Sequence, residues 1–231
     1  MPNWTQNFHS LLNLFLELQC PLCQRPTPQE FCQDCTRQLQ RCKLSNPQEF
    51  WRGELPVFAW GNYSGTLKRA IAALKYDNQP QIAKPLGQWL AKAWLDSQPQ
   101  QRLIVVPIPL HADKLKMRGY NQAELLAESF CDFTGLVLQP QGIKRIKATD
   151  AQFSLSASQR EHNLADAFVL GTEFHRQRPN DLVLLLDDIY TTGATVRSAV
   201  QALQKQGISV YGVVAIATSS RNIVPTGNNK V

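Results

Sequence analysis

Residues 182–186 read Leu-Val-Leu-Leu-Leu, the most apolar run in the chain, and the run ends on two adjacent carboxylates, Asp187 and Asp188. Five apolar residues closed by charge describe a strand buried on both faces, and such strands belong to parallel sheets covered by helices. After Ile189, Tyr190, Thr191, Thr192, Gly193, Ala194 and Thr195 the period changes. Val196, Ala199, Val200 and Leu203 recur at helical spacing, and Gly207 ends the helix. Residues 208–217 then form a second apolar strand. Strand, helix and strand in this order are one βαβ unit. The expected fold is therefore α/β: an open, mostly parallel sheet flanked by helices, with Asp187 and Asp188 delivered to its carboxyl edge.

The rest of the pattern agrees with that architecture. Leu67, Ala70, Ile71 and Leu74 mark a helix that ends near Tyr76 and follows a turn-like stretch at residues 61–65. Further helices are expected over residues 82–95 and 122–133, and short ones over residues 7–18 and 156–164. Residues 103–106 form another buried strand, stopped by Pro107 and Pro109, which cannot donate to a ladder. Residues 137–146 read as strand and residues 221–231 as a disordered tail. With 43% hydrophobic and 18% charged residues among 231, the chain has room for one main domain, residues 51–220. Residues 1–50 make a smaller amino-terminal module, including the start of a linker at residues 44–55.

Open α/β sheets bind ligands beyond the carboxyl ends of their strands, and the free N–H groups of a helix amino terminus favour phosphate. Thr191, Thr192 and Thr195 add hydroxyl donors there, and Gly193 permits close backbone approach and a positive φ. With Ala194 these residues form a phosphate cradle that has no lysine. Asp187 and Asp188, just before it, suit either the two hydroxyls of a vicinal diol or a hydrated magnesium ion. Diol and phosphate on one molecule specify a ribose 5-phosphate. A bare polar turn capping the helix would use the same residue types, but not in this full order behind a buried strand. The chain has neither the Gly-Lys-Ser/Thr of a Walker A loop nor the G-x-G-x-x-G of a dinucleotide loop.

A second constellation lies near the amino terminus. Cys20-x2-Cys23 and Cys32-x2-Cys35 each place two thiolates on one side of a metal, and together they complete a tetrahedral S4 site whose usual occupant is zinc. Residues 20–42 hold too few aliphatic side chains for a core of their own. Zinc would supply the missing folding energy, roughly 10 kcal/mol by analogy with zinc-finger peptides. The apolar stretch at residues 8–18 contains Glu17 and has no Lys or Arg before it, so it does not read as a secretory signal. No run is long enough to span a membrane. The expectation is a cytoplasmic protein with reduced thiols. Cys131 falls on a helical core pattern, and Cys42 has no partner in the spacing.

The segment at residues 184–195 resembles the PRPP (5-phosphoribosyl 1-pyrophosphate) signature of type I phosphoribosyltransferases. The resemblance implies that Asp187 and Asp188 bind the ribose hydroxyls and that Thr191, Thr192, Gly193, Ala194 and Thr195 bind the 5′-phosphate. A wider likeness is carried by Tyr63-Ser64-Gly65, Leu74-Lys75-Tyr76, Val106-Pro107-Ile108-Pro109-Leu110-His111 and Arg118-Gly119-Tyr120-Asn121-Gln122-Ala123. Gln152, Leu155, Ser156, Arg160, Asn163 and Phe168 continue it. With these the chain resembles the ComF family of competence-associated, phosphoribosyltransferase-like proteins, whose members often carry an amino-terminal cysteine module. The likeness implies PRPP binding with magnesium and gives Arg118 a catalytic role at the departing pyrophosphate, with Lys114 and Lys116 nearby. Cations there would lower the barrier electrostatically.

Charge bears on partners. The net charge is +6, while residues 1–50 are balanced by Arg25, Arg37, Arg41 and Lys43 against Glu17, Glu30, Asp34 and Glu49. The excess therefore lies on the main domain and suits an anionic ligand. Two functions follow: glycosyl transfer from PRPP with release of pyrophosphate, or a non-catalytic PRPP-sensing module that binds single-stranded DNA within the competence machinery. Residues 144–147, Lys-Arg-Ile-Lys, suit a lid or a nucleic-acid contact, but an ordinary surface strand edge would look the same and is the preferred reading.

Overall fold

The computed structural model describes residues 18–97, 99, 101–147 and 166–219. The helices expected at residues 7–18 and 156–164, the tail, and Gln152, Leu155, Ser156, Arg160 and Asn163 lie outside the described residues, apart from Leu18.

Five parallel strands form the sheet: β1 (Val57–Asn62), β2 (Leu103–Pro107), β3 (Val137–Leu138), β6 (Leu182–Tyr190) and β7 (Val210–Thr218), in the spatial order β1-β7-β6-β2-β3. A two-stranded antiparallel ribbon, β4 (Ile143–Arg145) with β5 (Phe168–Leu170), stands apart from it. The helices are α1 (Gln33–Gln40), α2 (Gly65–Tyr76), α3 (Ala83–Asp96), α4 (Ala112–Arg118), α5 (Gln122–Thr134), α6 (Thr172–Arg176) and α7 (Ala194–Gln204). The expected fold class is the observed one.

Strand alternation sorts the apolar side chains into two layers. Leu184, Leu186, Val214 and Ile216 meet Leu67, Ile71 and Leu74 of α2, Leu86 and Leu90 of α3 and Leu126 and Phe130 of α5. On the opposite face Val183, Leu185, Val213 and Ala215 meet Val196, Ala199, Val200 and Leu203 of α7 and Phe168 of the ribbon. The connections from β1 to β2 to β3 run one way across the sheet with their helices on the first face. The connection from β6 to β7 runs the other way, with α7 on the second face. Strand order therefore reverses between β2 and β6, and the crevice beyond their carboxyl ends is where such sheets take ligands.

Three boundaries differ from the sequence reading. Residues 57–62 are a buried edge strand that takes in Gly61 and Asn62, the first two residues of the stretch at 61–65 that reads as a turn. Gly61 sits in that strand because a Cβ there would lie 2.8 Å from the Cys42 carbonyl oxygen. Residues 137–146 are two short strands in different sheets, separated by the Pro140-Gln141-Gly142 turn. Strand β6 continues four residues past its apolar run, with Asp187 paired to Ala215 and Tyr190 to Thr218.

The amino-terminal segment is stitched to the main body. Cys20, Phe31, Cys35 and Leu39 are buried in the same layer as α2 and α3, with the Phe31 ring 6.0 Å from that of Trp89. Trp89 in turn stacks on Trp60 at 5.5 Å, so the aromatics of α3 serve packing. Residues 42–57 follow the β1 edge through backbone hydrogen bonds from Leu44 to Trp60 and from Asn62 to Cys42. Among the described residues no helix is long and apolar enough to cross a membrane.

Candidate functional site

The turn after β6 folds as its sequence requires. Gly193 adopts the left-handed conformation, φ 74°, and caps α7. Any Cβ at this position would fall 2.3 Å from the Tyr190 hydroxyl, so glycine is demanded twice. The Arg197 guanidinium, one turn into α7, donates to the Thr192 carbonyl at 2.8 Å and ties the loop to the helix. Thr191 and Thr192 are exposed, and the Thr192 hydroxyl receives a long 3.4 Å contact from the Ala194 amide. Asp187, Ile189, Tyr190, Thr191, Thr192, Gly193, Ala194, Thr195 and Val196 line one small concavity of about 40 Å³. Pockets for whole drug-sized ligands run to roughly 300–1000 Å³, so this one has room for a single small group only.

Adjacent strand residues face opposite ways, and the two carboxylates are separated for that reason. Asp187 lies on the α7 side and lines the concavity. Its Oδ1 accepts the Asp188 backbone amide at 2.8 Å. The side chain lies deep among protein atoms while part of the residue stays open to the cradle. Burial pushes its pKa up to about 8, with the Asp188 charge adding to the effect and Lys75 and Arg145 opposing it. A carboxyl poised this way takes up hydrogen-bond donors or positive charge readily, because either relieves the penalty on its ionised form.

Asp188 is on the other face, 3% exposed, and Lys75 Nζ lies 2.8 Å from its Oδ2. At that separation and depth the two form a buried ion pair. Burial alone would lower the Lys75 pKa. The charge of Asp188, the hydrogen bond to it and the charge of Asp187 outweigh that, and the net shift is upward. Lys75 was visible in the sequence only as part of Leu74-Lys75-Tyr76. A lysine breaking into an apolar helix face is the signal that a buried carboxylate awaits it.

Arg118 is not in the cradle. It closes α4, hydrogen-bonds Gln122 and lies over the exposed Tyr76 ring at 5.7 Å, so it stands beside the end of α2. Helix α4 buries none of its residues, and Lys116 is solvent-exposed on it. His111 caps α4, accepting the Asp113 amide at 3.3 Å. Tyr120 donates to the Leu74 carbonyl at 2.6 Å and Asn121 to the Ile108 carbonyl at 3.2 Å. The Arg118-Gly119-Tyr120-Asn121 stretch thus fastens the end of α2 and the loop after β2 around the crevice. Lys144 in the ribbon and Lys147 just past it are exposed, while Arg145 is half-buried, 5.6 Å over the Phe168 ring. Burial lowers the Arg145 pKa against the opposing charge of Asp187.

The four cysteines meet as their spacing requires. The Sγ atoms of Cys20, Cys23, Cys32 and Cys35 all lie within 4.8 Å of one another, a set able to hold a metal ion. Cys32 caps α1 and Cys35 lies in its first turn, where the helix dipole favours thiolates. Arg25 Nε donates to Cys23 Sγ at 3.3 Å and lowers that thiol's pKa to about 6; burial raises that of Cys35. Cys42 is outside the cluster, between the Gln38 and Ser64 carbonyls. Cys131 is buried, with its pKa pushed up by burial to about 12. All six thiols are free.

Magnesium was expected with the ligand. The carboxylate pair does not fit it as a shared site, because Asp187 and Asp188 point to opposite faces and Lys75 already occupies Asp188.

No family model matches the chain. The chain is 30% identical over 207 residues to "Competence protein F" of Haemophilus influenzae, covering 86% of this chain and 89% of that one. It is 28% identical over 200 residues to "DNA utilization protein YhgH" of Salmonella typhi, covering 84% and 81%. Among solved structures, adenine phosphoribosyltransferase from Leishmania donovani overlays with a TM-score of 0.38 at 10% identity, over 85% and 86% of the two chains. An overlay that loose carries no argument.

Proposed function

This chain belongs to the ComF family of competence proteins, and we propose that its crevice binds the 5-phosphoribosyl group of PRPP. One observation carries the reading: Asp187 shares a single concavity with Thr191, Thr192, Gly193, Ala194 and Thr195 at the amino end of α7. The 5′-phosphate would sit on the α7 amides and the threonine hydroxyls, where partial positive charge meets it. The ribose hydroxyls would donate to the Asp187 carboxylate, whose ionised form gains from each such bond. Arg118, at the end of α4 beside Tyr76, would meet the pyrophosphate. Magnesium enters this reading only as the counter-ion of the ligand's pyrophosphate.

Glycosyl transfer follows from that placement. An acceptor's lone pair forms the new bond at C1′ as the C1′–O bond to pyrophosphate breaks. The pyrophosphate leaves with the bonding electrons, and the acceptor loses its proton. Charge gathers on the leaving group, so Arg118 acts where the transition state is most anionic. Release of pyrophosphate from PRPP, dependent on an acceptor and lost in Asp187→Asn, is the expected signature. PRPP binding without turnover under any acceptor would support the sensing role instead.

That second reading has its own observation. Arg25, Arg37 and Arg41 line one concavity beside the cysteine cluster, relieved only by Asp34, and DNA utilization is in the name of a relative. Single-stranded DNA held there would bind with an affinity that falls steeply with salt; a flat salt response would rule it out. Zinc is the proposed occupant of the four-thiolate site, with a cytoplasmic location keeping those thiols reduced. We assign residues 1–50 to the zinc module and residues 51–220 to the ligand-binding domain, joined by the shared core. Titration calorimetry of PRPP, with and without magnesium, on the wild-type chain and on Thr192→Ala tests the pocket before any acceptor is chosen.

A further inference from the structure

The crevice has a cation of its own. Lys75 ends α2, where the helix dipole favours positive charge, and its last turn is pinned by the Tyr120 hydroxyl on the Leu74 carbonyl at 2.6 Å. From there its ammonium reaches 2.8 Å from Asp188, with side-chain exposures of only 18% and 4%. Charged side chains are buried this far only when paired. Asp188 Oδ2 exposes less than 1 Å². A magnesium ion binds octahedrally and keeps several of its waters, and an oxygen with no open surface has no room for that hydrated shell. Asp187, one residue away, faces the opposite side of the sheet and lines the cradle.

Deepening the PRPP reading, on which it rests, we propose that Lys75 is the site's resident counter-cation, which positions Asp188 and takes the place a free divalent metal would need. The acid pair then recognises sugar hydroxyls, through Asp187, and leaves bare metal ions alone. Any divalent ion in the crevice arrives already bound to its anionic ligand. Lys75 acts through Asp188 and is a positioning residue.

The probe is manganese(II), followed by electron paramagnetic resonance on the zinc-loaded chain without ligand. Wild type and Lys75→Arg should show no manganese site. Lys75→Met should gain one, because the Asp188 carboxylate is left without its cation, and Lys75→Met/Asp188→Asn should lose it again. In parallel, ribose 5-phosphate without metal should bind wild type and Lys75→Arg alike and bind Lys75→Met roughly tenfold more weakly, with manganese restoring part of the loss. A manganese site in the ligand-free wild type, abolished by Asp188→Asn, overturns the proposal, as does a Lys75→Met chain that gains none. If Lys75→Met fails to fold, the doubly neutral Lys75→Met/Asp188→Asn chain decides: recovery of folding supports the counter-cation and continued failure overturns it. Failure of ribose 5-phosphate to bind wild type, with the manganese pattern intact, would refute the PRPP reading and leave the counter-cation standing.

Discussion

The cysteine cluster and the proposed phosphate cradle are built on opposite plans. All four thiols of the cluster come from sixteen consecutive residues, 20–35, and converge through one turn and the start of α1. The cradle also has a contiguous loop, residues 187–196, but the charges that set its chemistry come from afar. Lys75 arrives from the end of α2 and Arg145 from the ribbon. The cluster is a local device that leans on the main core for support. The cradle is a local loop whose electrostatics belong to the whole fold. The first should fail as a unit when metal is removed, whereas the second should degrade residue by residue.

The largest expected effect is loss of metal. Structural zinc contributes roughly 10 kcal/mol or more in zinc-finger peptides, and here Cys20 and Cys35 are buried in the layer that holds α2 and α3. Chelation, or Cys35→Ser, is expected to unfold residues 18–42 and to lower the melting temperature of the whole chain, read by calorimetry. An unchanged melting curve would separate the module from the core.

Lys75→Met comes next. Breaking a buried ion pair by removing one partner costs about 3–5 kcal/mol, while replacing both partners is often close to neutral. Denaturant melts should therefore show a large loss for Lys75→Met and recovery of most of it in Lys75→Met/Asp188→Asn. Equal losses in the two would mean that the pair does not govern the site's stability.

Gly193→Ala forces a side chain into a left-handed position already crowded by Tyr190. Its expected cost is about 1–3 kcal/mol, with phosphate affinity falling alongside. Tyr120→Phe removes one hydrogen bond to the Leu74 carbonyl and should cost about 1 kcal/mol. Its sharper consequence is a loosened Lys75.

Acidity offers the finest test. Asp187 titrates near 8 in the folded chain, above its unfolded value of 3.8, so the folded state holds the extra proton between those limits. Stability from this group is present below the unfolded pKa and declines as pH rises through the folded one. Affinity for a ligand bearing hydroxyl donors should move the opposite way, rising toward pH 8 as the carboxylate ionises. Asp187→Asn should flatten both trends. A pH-independent affinity in the wild type would remove Asp187 from ligand contact.

The same contrast explains what could be read in advance. The apolar run before Asp187, the threonines around Gly193 and the paired cysteines are short-range patterns, and each reports its local geometry directly. The βαβ unit followed from two periods and one glycine. Asp187 and Asp188 were legible as carboxylates at a strand end, but not as residues on opposite faces, because that depends on β6 continuing to Tyr190 under the pull of β7. Strand β1 was hidden by Gly61, whose role is to admit the Cys42 backbone from a distant segment. Lys75 and Arg145 stayed unread as site residues because long-range pairing leaves no spacing in the sequence.

Titration calorimetry of PRPP on wild type and Thr192→Ala tests the cradle most directly. The expected result is one site per chain in the wild type and binding at least several-fold weaker in Thr192→Ala, with ribose 5-phosphate competing. Equal binding by both chains, or none by the wild type, would contradict the placement of the phosphate on the amino end of α7.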